Sequence, residues 1–270
     1  MKIGIISLGL IGGSLFKRLT GENYDVYAVT RNIETLKKTL KYSEHVSDDI
    51  KTLKDCDVVF VASPISEVMN MLDKLESVVS KNCIVLDCAS VKEFVMKKQR
   101  PYIFIGSHPM AGTEFSGFDA SFEELFEGAK WVLTPSDNTA DESVNIVKEI
   151  LESTGAEIII ADAEEHDKAA ALISHMPLLI SQALFHAASD NELALKLASS
   201  GFRDMTRLAM SNLTMAEDMR NFNSKNINYA LEKLTKSAEF LKNTKVSDIF
   251  SDIKNARSNM YSKEGKNIIR

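Results

Sequence analysis

Hydrophobic positions divide the chain into two halves with different periodicities. Up to residue 161, short apolar runs rich in β-branched residues alternate with longer amphipathic stretches. The apolar runs predict buried strands at residues 2–7, 24–30, 57–62, 83–87, 102–105, 130–133 and 156–160, with helices among others at 10–19, 65–79 and 140–153. Alternating strands and helices indicate an α/β fold, with a Rossmann-type, mainly parallel sheet in a dinucleotide-binding domain at 1–161.

From residue 162 to 270 the apolar residues recur with helical spacing only. The predicted helices are 164–188, 192–200, 204–210, 215–222, 225–242 and 246–261. Asn223 and Ser224 can cap the long helix at 225–242. That helix is apolar over more of its face than a domain of about 110 residues can hide by itself. This half is therefore predicted to be an all-α C-terminal domain that binds substrate and forms a homodimer.

Composition narrows the possible partners and locations. The 270 residues are 44% hydrophobic and 26% charged, with a formal net charge of −6 and no basic run, which argues against a nucleic-acid partner. Cys56, Cys83 and Cys88 lack metal-site spacing, so we expect reduced thiols and no bound metal. No apolar run approaches the roughly 20 residues of a membrane span, and Met1 leads directly into a strand. We expect a cytoplasmic protein that does not contact membranes.

A glycine turn after the first strand predicts a dinucleotide site. Its members are Ser7, Gly9, Leu10, Ile11 and Gly12. Gly9 lets the backbone approach a pyrophosphate at the helix N-terminus, and Gly12 lets the helix pack closely on the strand. Ser7 occupies the position of the usual first glycine, so it must make the tight turn with a Cβ present.

The end of the second strand predicts which cofactor binds there. The chain reads Thr30-Arg31-Asn32, without the acid that usually contacts the ribose hydroxyls of NAD. Arg31 and Thr30 can instead bind the 2′-phosphate of NADP. We therefore expect NADP to be preferred, with NAD as a possible second cofactor; a solvated arginine is the alternative interpretation. Ser63, Pro64 and Ser90 follow further strands and complete the predicted cofactor site.

His108 is the candidate general base. It follows the apolar strand 102–105, and Gly106 and Pro109 around it indicate a sharp turn at the strand exit. Ligands of open α/β sheets sit beyond this edge, and imidazole suits proton transfer near neutral pH. A buried structural histidine in a tight turn is the alternative interpretation.

The helical half contributes further candidates, each with a structural alternative. His175 can line the site or be an interior histidine bonded to a backbone carbonyl. His166, beside Asp167, can cap a helix. Arg203 and Arg207 are candidate clamps for a substrate carboxylate, although one of them can pair with Asp204 instead.

Together these motifs resemble those of the prephenate/arogenate dehydrogenases of tyrosine biosynthesis. The shared blocks are the glycine turn, the Ser90 turn, GSHPMAGT at 106–113, SHMP at 174–177 and SGFRDMTR at 200–207. The chain is most similar to the short, NADP-dependent arogenate dehydrogenases of cyanobacterial type. The resemblance implies catalytic roles for His108 and Ser90, and substrate-binding roles for Arg207, Thr113, Glu114, His175 and Asp204.

One departure from the family pattern bears on the substrate. Leu178 stands where prephenate-using relatives often carry a second histidine. The resemblance therefore implies oxidative decarboxylation of arogenate to tyrosine, with prephenate as the alternative substrate. Two other classes share parts of the pattern. A β-hydroxyacid dehydrogenase would need a catalytic lysine, for which Lys168 is the nearby candidate, and a non-catalytic NADP-binding sensor would need no histidine–arginine pair.

Overall fold

The first half of the chain forms one sheet with a single antiparallel step. The computed structural model describes residues 1–22, 24–113 and 115–262. Within them the strands are β1 Lys2–Ile6, β2 Asp25–Val29, β3 Val46–Ser47, β4 Val58–Val61, β5 Ile84–Asp87, β6 Ile103–Pro109, β7 Lys130–Pro135 and β8 Glu157–Ile160. Their order is β3-β2-β1-β4-β5-β6-β7-β8, and every neighbouring pair except β6 and β7 is parallel. The predicted mainly parallel α/β sheet is confirmed.

Helices cover the sheet and then make up the second half of the chain. The first half contains α1 Leu10–Gly21, α2 Ile33–Thr39, α3 Ile65–Leu75, α4 Glu93–Met96 and α5 Asp141–Ser153. The second half contains α6 Ala163–Ala170, α7 Met176–Ala188, α8 Glu192–Leu197, α9 Ser200–Thr206, α10 Leu213–Phe222, α11 Ser224–Asn243 and α12 Val246–Ser262. A π-helical turn, Ala171–His175, joins α6 to α7. The predicted all-α second half is confirmed over the described residues.

The core lies on both faces of the sheet. One cluster packs α1, through Leu15 and Phe16, against sheet residues such as Trp131. The other packs α3, through Val68 and Leu72, against the opposite face. All four residues of β4 are buried, which is why this strand reads as a continuous apolar run.

The strand that carries His108 is longer than predicted. We expected the chain to turn at Gly106, but β6 continues to Pro109. The reason is β7, which pairs antiparallel with this extension and places Gly106 opposite Thr134 and His108 opposite Val132. His108 therefore lies within the strand rather than beyond its end. The two-residue edge strand β3 was also not predicted.

Two carboxylates of the helical half cap helices of the sheet half. Asp218 of α10 accepts bonds from the backbone N–H and the hydroxyl of Ser66, at 3.1 and 3.2 Å, in the first turn of α3. Asp167 of α6 accepts bonds from the backbone N–H groups of Lys92 and Glu93, at 2.7 and 2.9 Å, where α4 begins. Carboxylates at helix N-termini satisfy free N–H groups and the helix dipole. These contacts fasten the helical half to the carboxyl edge of the sheet.

One helical run is more apolar than the sequence analysis allowed. Within the described residues, Ala163–Ala188 is long and apolar enough to cross a membrane by length and composition alone, although only 28% of that window is buried in the chain. The same run carries Asp167 and so is held against the sheet.

Candidate active site

The glycine turn is built around a serine in an unusual conformation. Ser7 has φ of +70° and is the non-glycine residue with positive φ in the described part of the chain. Its N–H donates to the Val29 carbonyl at 2.9 Å, and its Oγ lies 2.8 Å from Oγ of Ser63. A positive φ is costly for a residue with a Cβ and persists where surrounding contacts hold it. Ser63 thus supports the turn from behind.

The two glycines of the turn differ in what surrounds them. A Cβ on Gly12 would clash with the carbonyl oxygen of Ser7, so close packing of α1 on β1 requires glycine. A Cβ on Gly9 would meet no atom within 4 Å, which leaves open space before the α1 N-terminus. The first turn of α1 carries no acidic residue to repel an anion. These features fit the pyrophosphate of a dinucleotide.

A cleft of about 570 Å³ opens over this turn. Five of the predicted cofactor-binding residues line it, namely Ser7, Gly9, Thr30, Arg31 and Asn32. Leu10, Ile11 and Gly12 lie in the first turn of α1, Pro64 immediately precedes α3, and Ser90 is half-buried in the segment between β5 and α4. The cofactor residues predicted from the sequence therefore lie around the carboxyl edge of the central strands.

The residues at the end of β2 already have partners. Asn32 lines the cleft, but its Oδ1 also caps α2 by accepting a bond from the Thr35 N–H at 2.9 Å. Thr30 Oγ1 accepts the Asn32 N–H at 3.3 Å. Arg31 pairs with Glu67 of α3 at 2.8 Å, and both side chains remain largely exposed. A phosphate at this position would therefore compete with a carboxylate for Arg31.

His108 begins a chain of three buried polar groups. Its Nδ1 lies 2.9 Å from Nε2 of His166, and Nδ1 of His166 lies 2.8 Å from Oδ1 of Asp167. Burial holds the pKa of His108 well below its ordinary value of 6.5, and nearby His166 and Lys92 act in the same direction. His108 is therefore uncharged at neutral pH. Its Nε2 has no hydrogen-bond partner among residues 1–22, 24–113 and 115–262.

A buried ion pair between Lys92 and Asp87 lies next to this series of hydrogen-bonded groups. The Lys92 ammonium is fully buried and bonds to the Asp87 carboxylate and, at 2.5 Å, to the carbonyl of Ser107, the residue before His108. Oδ1 of Asp87 also accepts the Ser107 N–H at 3.0 Å. Both groups of the pair thus hold the backbone next to His108 between β5 and β6.

His175 is buried next to the hydrogen-bonded series His108–His166–Asp167. Its Nδ1 is 3.1 Å from Nδ2 of Asn223, which also donates to the Asp167 carbonyl at 2.9 Å. We expected Asn223 to cap α11 with its side chain; it occupies that position but forms these contacts instead. Burial lowers the pKa of His175 to about 4. His175 therefore supports the site from within, and its fully buried Nε2 has no partner in the described part of the chain.

The remaining predicted substrate residues lie on the surface. Arg207 is exposed at the C-terminal end of α9 and forms no ion pair within the described ranges. Asp204 is exposed and lies 3.4 Å from Arg203, as one of the alternatives proposed. Thr113 is exposed in the loop after β6, and Glu114 lies outside the described residues. Among the described residues, no hydrogen bond or ion pair joins this group to His108.

Sequence reasoning missed the polar residues that hold His108. His166 was interpreted as a helix cap, but Asp162 caps α6 through the Glu165 N–H at 2.8 Å, and His166 contacts His108 instead. The adjacent His166-Asp167 pair was the available signal, because an acid beside a histidine often orients it. Lys92 and Asp87 gave no comparable signal in the sequence.

Fold and site together define a two-domain, dinucleotide-binding protein of the dehydrogenase class. Family models for the prephenate dehydrogenase nucleotide-binding domain and dimerization domain match residues 14–160 and 162–252. The chain belongs to the prephenate dehydrogenase family. Lys168 pairs with Glu164 at 2.5 Å on the exposed side of α6, which gives no support to the β-hydroxyacid dehydrogenase alternative.

Individual relatives agree with this assignment. The chain is 31% identical to a prephenate dehydrogenase of Bacillus subtilis, over 80% of its own length and 62% of that enzyme's length. It is similar to the crystal structure of Synechocystis arogenate dehydrogenase, with 31% identity, a TM-score of 0.79 and coverage of 96% of this chain and 98% of that one. It is also similar to a prephenate dehydrogenase from A. aeolicus in complex with hydroxyphenyl propionate and NAD+, with 28% identity, a TM-score of 0.85 and the same coverage.

Proposed function

We propose that the protein catalyses the NADP-dependent oxidative decarboxylation of arogenate to tyrosine, with prephenate as the alternative substrate. The observation that carries this proposal is the state of His108. It is buried and uncharged, its Nδ1 is bonded to His166, and its Nε2 is left for a ligand. A positioned imidazole of this kind serves as a general base.

Within this reaction the chain's own residues have distinct tasks. His108 accepts the ring hydroxyl proton through Nε2. A bound nicotinamide would accept a hydride from the ring carbon that carries this hydroxyl. The α1 N-terminus and the space at Gly9 hold the pyrophosphate, and Ser90 orients the substrate hydroxyl or His108. The family resemblance assigns a substrate carboxylate to Arg207 and further substrate contacts to Thr113, Glu114, His175 and Asp204. Loss of CO₂ makes the ring aromatic and drives the step forward.

The preference for NADP rests on the end of β2. Arg31 lines the cleft, and no carboxylate occupies positions 30–32 to repel a 2′-phosphate. A charge-assisted bond from Arg31 to that phosphate is worth about 1.5–3 kcal/mol. The Arg31–Glu67 pair reduces this gain, because the phosphate must compete with Glu67. We therefore propose preference for NADP without exclusion of NAD.

The lean toward arogenate rests on Leu178. This side chain is buried in the first turn of α7, where prephenate-using relatives often carry a histidine. Leucine offers no hydrogen bond to the keto group of a prephenate side chain. The family resemblance therefore favours the amino-acid substrate.

We also propose that the protein acts as a homodimer in the cytoplasm. Apolar side chains of the helical half remain exposed in one chain, including Phe185, Leu197, Met210 and Phe240. An isologous contact between two copies would cover such surfaces. The free cysteines, two of which are buried, suit a reducing compartment.

The decisive experiment is a matched set of four assays. Purified protein is mixed with arogenate or prephenate and with NADP or NAD, while the absorbance of reduced nicotinamide is followed and the product is identified by mass. We expect the highest kcat/KM with arogenate and NADP, and tyrosine as product. Absence of cofactor reduction in all four mixtures would exclude an arogenate or prephenate dehydrogenase. A higher kcat/KM with prephenate would reverse the substrate assignment.

A further inference from the structure

The order of hydrogen bonds along Asp167, His166 and His108 fixes where each proton lies when both histidines are neutral. The Asp167 carboxylate accepts from two backbone N–H groups, those of Lys92 and Glu93, and its Oδ1 also faces Nδ1 of His166. An ionised carboxylate only accepts hydrogen bonds, so Nδ1 of His166 must carry a hydrogen. In the neutral ring, Nε2 of His166 is then an acceptor, and it receives the Nδ1–H of His108 at 2.9 Å.

The reverse order is excluded by the contact between Asp167 and His166. If a neutral His166 carried its hydrogen on Nε2, its bare Nδ1 would face a carboxylate oxygen 2.8 Å away, and two acceptors would repel each other. A second arrangement does satisfy every contact. When His166 carries hydrogens on both nitrogens, it donates to Asp167 and to His108, and the hydrogen of His108 then lies on Nε2. The hydrogen bonds among His108, His166 and Asp167 can therefore form both before and after this group of residues gains a proton.

We propose that His166 is a positioning residue for His108 and a temporary store for the substrate proton. In the resting state it keeps the lone pair of His108 on Nε2, where a ligand hydroxyl can meet it. When that hydroxyl gives up its proton, the Nδ1 hydrogen of His108 moves to His166. The positive charge then rests beside the Asp167 carboxylate. This inference rests on the proposed function, because it assumes a substrate hydroxyl that is oxidised.

The proton balance of the reaction suits such a store. As the ring carbon becomes a carbonyl carbon, the O–H proton passes to Nε2 of His108 and the Nδ1 proton passes to Nε2 of His166. When CO₂ leaves, the electron pair of the broken C–C bond enters the ring and the oxygen becomes a phenolate. The phenolate takes the proton from Nε2 of His108, and His166 returns its proton to Nδ1. The enzyme ends with the protons it began with.

The surroundings favour holding the charge on His166 rather than on His108. The charged and titratable groups that face the pair are Asp167, His175 and the buried Lys92, whose ammonium is bonded to Asp87. Lys92 disfavours a positive charge on His108. Asp167 contacts His166 directly and stabilises a cation there. Transfer of a proton from His108 to His166 along their hydrogen bond therefore moves the positive charge next to the Asp167 carboxylate.

The first test needs neither substrate nor cofactor. The chain has five histidines, so ¹⁵N spectra of histidine-labelled protein can be assigned by the signals lost in His108→Asn and His166→Gln. We expect hydrogen on Nδ1 and a bare Nε2 in His108, and the same tautomer in His166→Gln, because the glutamine oxygen still accepts a bond. His166→Leu should release this preference. Hydrogen on Nε2 of the resting wild-type His108 would overturn the inference.

The second test separates proton storage from positioning. Glutamine accepts a bond from His108 but does not take up a proton, so His166→Gln should lower kcat about ten- to a hundredfold, and His166→Leu further, while the Kd of the cofactor stays within about twofold. The matched control is His186→Gln, an exposed histidine on α7, which should leave kcat unchanged. Unchanged kcat in His166→Gln would overturn the proton store. An inactive wild-type enzyme would refute the proposed function alone, since the tautomer measurement stands without it.

Discussion

Arg31 and Glu67 form a 2.8 Å ion pair at the cofactor cleft, between the end of β2 and the first turn of α3. Because the pair is largely exposed, it contributes at most about 1 kcal/mol. Glu67→Gln should free Arg31 and strengthen NADP binding up to about fivefold, since 1.4 kcal/mol is a factor of ten. NAD binding should not change. Titration calorimetry with both cofactors measures this, and equal strengthening of both would show that Glu67 acts elsewhere.

Removal of Arg31 tests the same contact from the other side. We expect the unmodified enzyme to prefer NADP about ten- to a hundredfold in kcat/KM, which corresponds to about 1.5–3 kcal/mol. Arg31→Ala should remove most of this preference by weakening NADP and sparing NAD. A variant that still prefers NADP tenfold would place the phosphate contact at another residue.

His108→Asn should separate proton transfer from binding. Asparagine keeps a polar side chain within β6 but cannot act as a base near neutral pH. We expect kcat to fall by about 10²–10⁴, with the fold and cofactor affinity retained. Steady-state kinetics, circular dichroism and calorimetry provide the three measurements. Retention of more than a third of the wild-type kcat would exclude His108 as the base.

Arg207 and Arg203 form a matched pair for testing the substrate clamp. Both are exposed, but Arg203 lies against the neighbouring Asp204, whereas Arg207 forms no ion pair in the described part of the structure. Arg207→Ala should cost about 2–5 kcal/mol in substrate binding, mainly as a higher KM. Arg203→Ala is the control, with KM within about twofold. Similar KM values for both variants would contradict a carboxylate contact at Arg207.

The long helix α11 carries an apolar stripe that is buried near the start of the helix and exposed toward its end. Ile227 is buried, while Leu234 and Leu241, at successive heptad positions on the same face, are 37% and 44% exposed. We expect light scattering to give twice the 30.0 kDa chain mass at micromolar concentration. Leu234→Glu combined with Leu241→Glu should yield monomers, whereas Lys236→Glu on the opposite face should not. A monomeric wild-type protein would contradict the dimer.

His175 makes stability depend on pH in a defined window. Its pKa is about 4 in the folded protein against an ordinary value of 6.5, so the unfolded chain binds this proton first as the pH falls. Stability is therefore complete above pH 6.5 and is lost progressively toward pH 4. Between pH 7 and pH 5 we expect a loss of about 2 kcal/mol from His175, measured by urea unfolding at one protein concentration. His175→Gln should flatten this dependence, and an unchanged slope would assign it to other groups.

The sheet was predictable where a strand carries its own signal. β4 is buried on both faces, so its four apolar residues suffice to identify it. The extension of β6 was not predictable from residues 106–109, because it depends on pairing with β7 about 25 positions later. Glycine and proline normally end strands, and here the partner strand overrides that local preference.

The site residues were likewise predictable where the signal is local and not where it depends on distant partners. His108 and the glycine turn stand out because their chemistry and spacing are local features of the sequence. The partner of His108 lies 58 positions away, and that of Asp218 lies 152 positions away. No periodicity specifies such contacts. They follow from the way α6 and α10 dock on the sheet, which only the tertiary structure supplies.

The π-helical turn at Ala171–His175 sets the angle between two histidines. His166 and His175 are nine positions apart, and in a regular α-helix, at about 100° per residue, they would lie on opposite sides of the helix. The π turn absorbs one extra residue, so the separation falls to about 80°, and both rings lie close to Asp167. Converting this turn to a regular α-helix without removing a residue would rotate α7 and every later helix by about 100° relative to α6. The orientation of the whole helical half relative to α6 thus depends on the π conformation of this one turn.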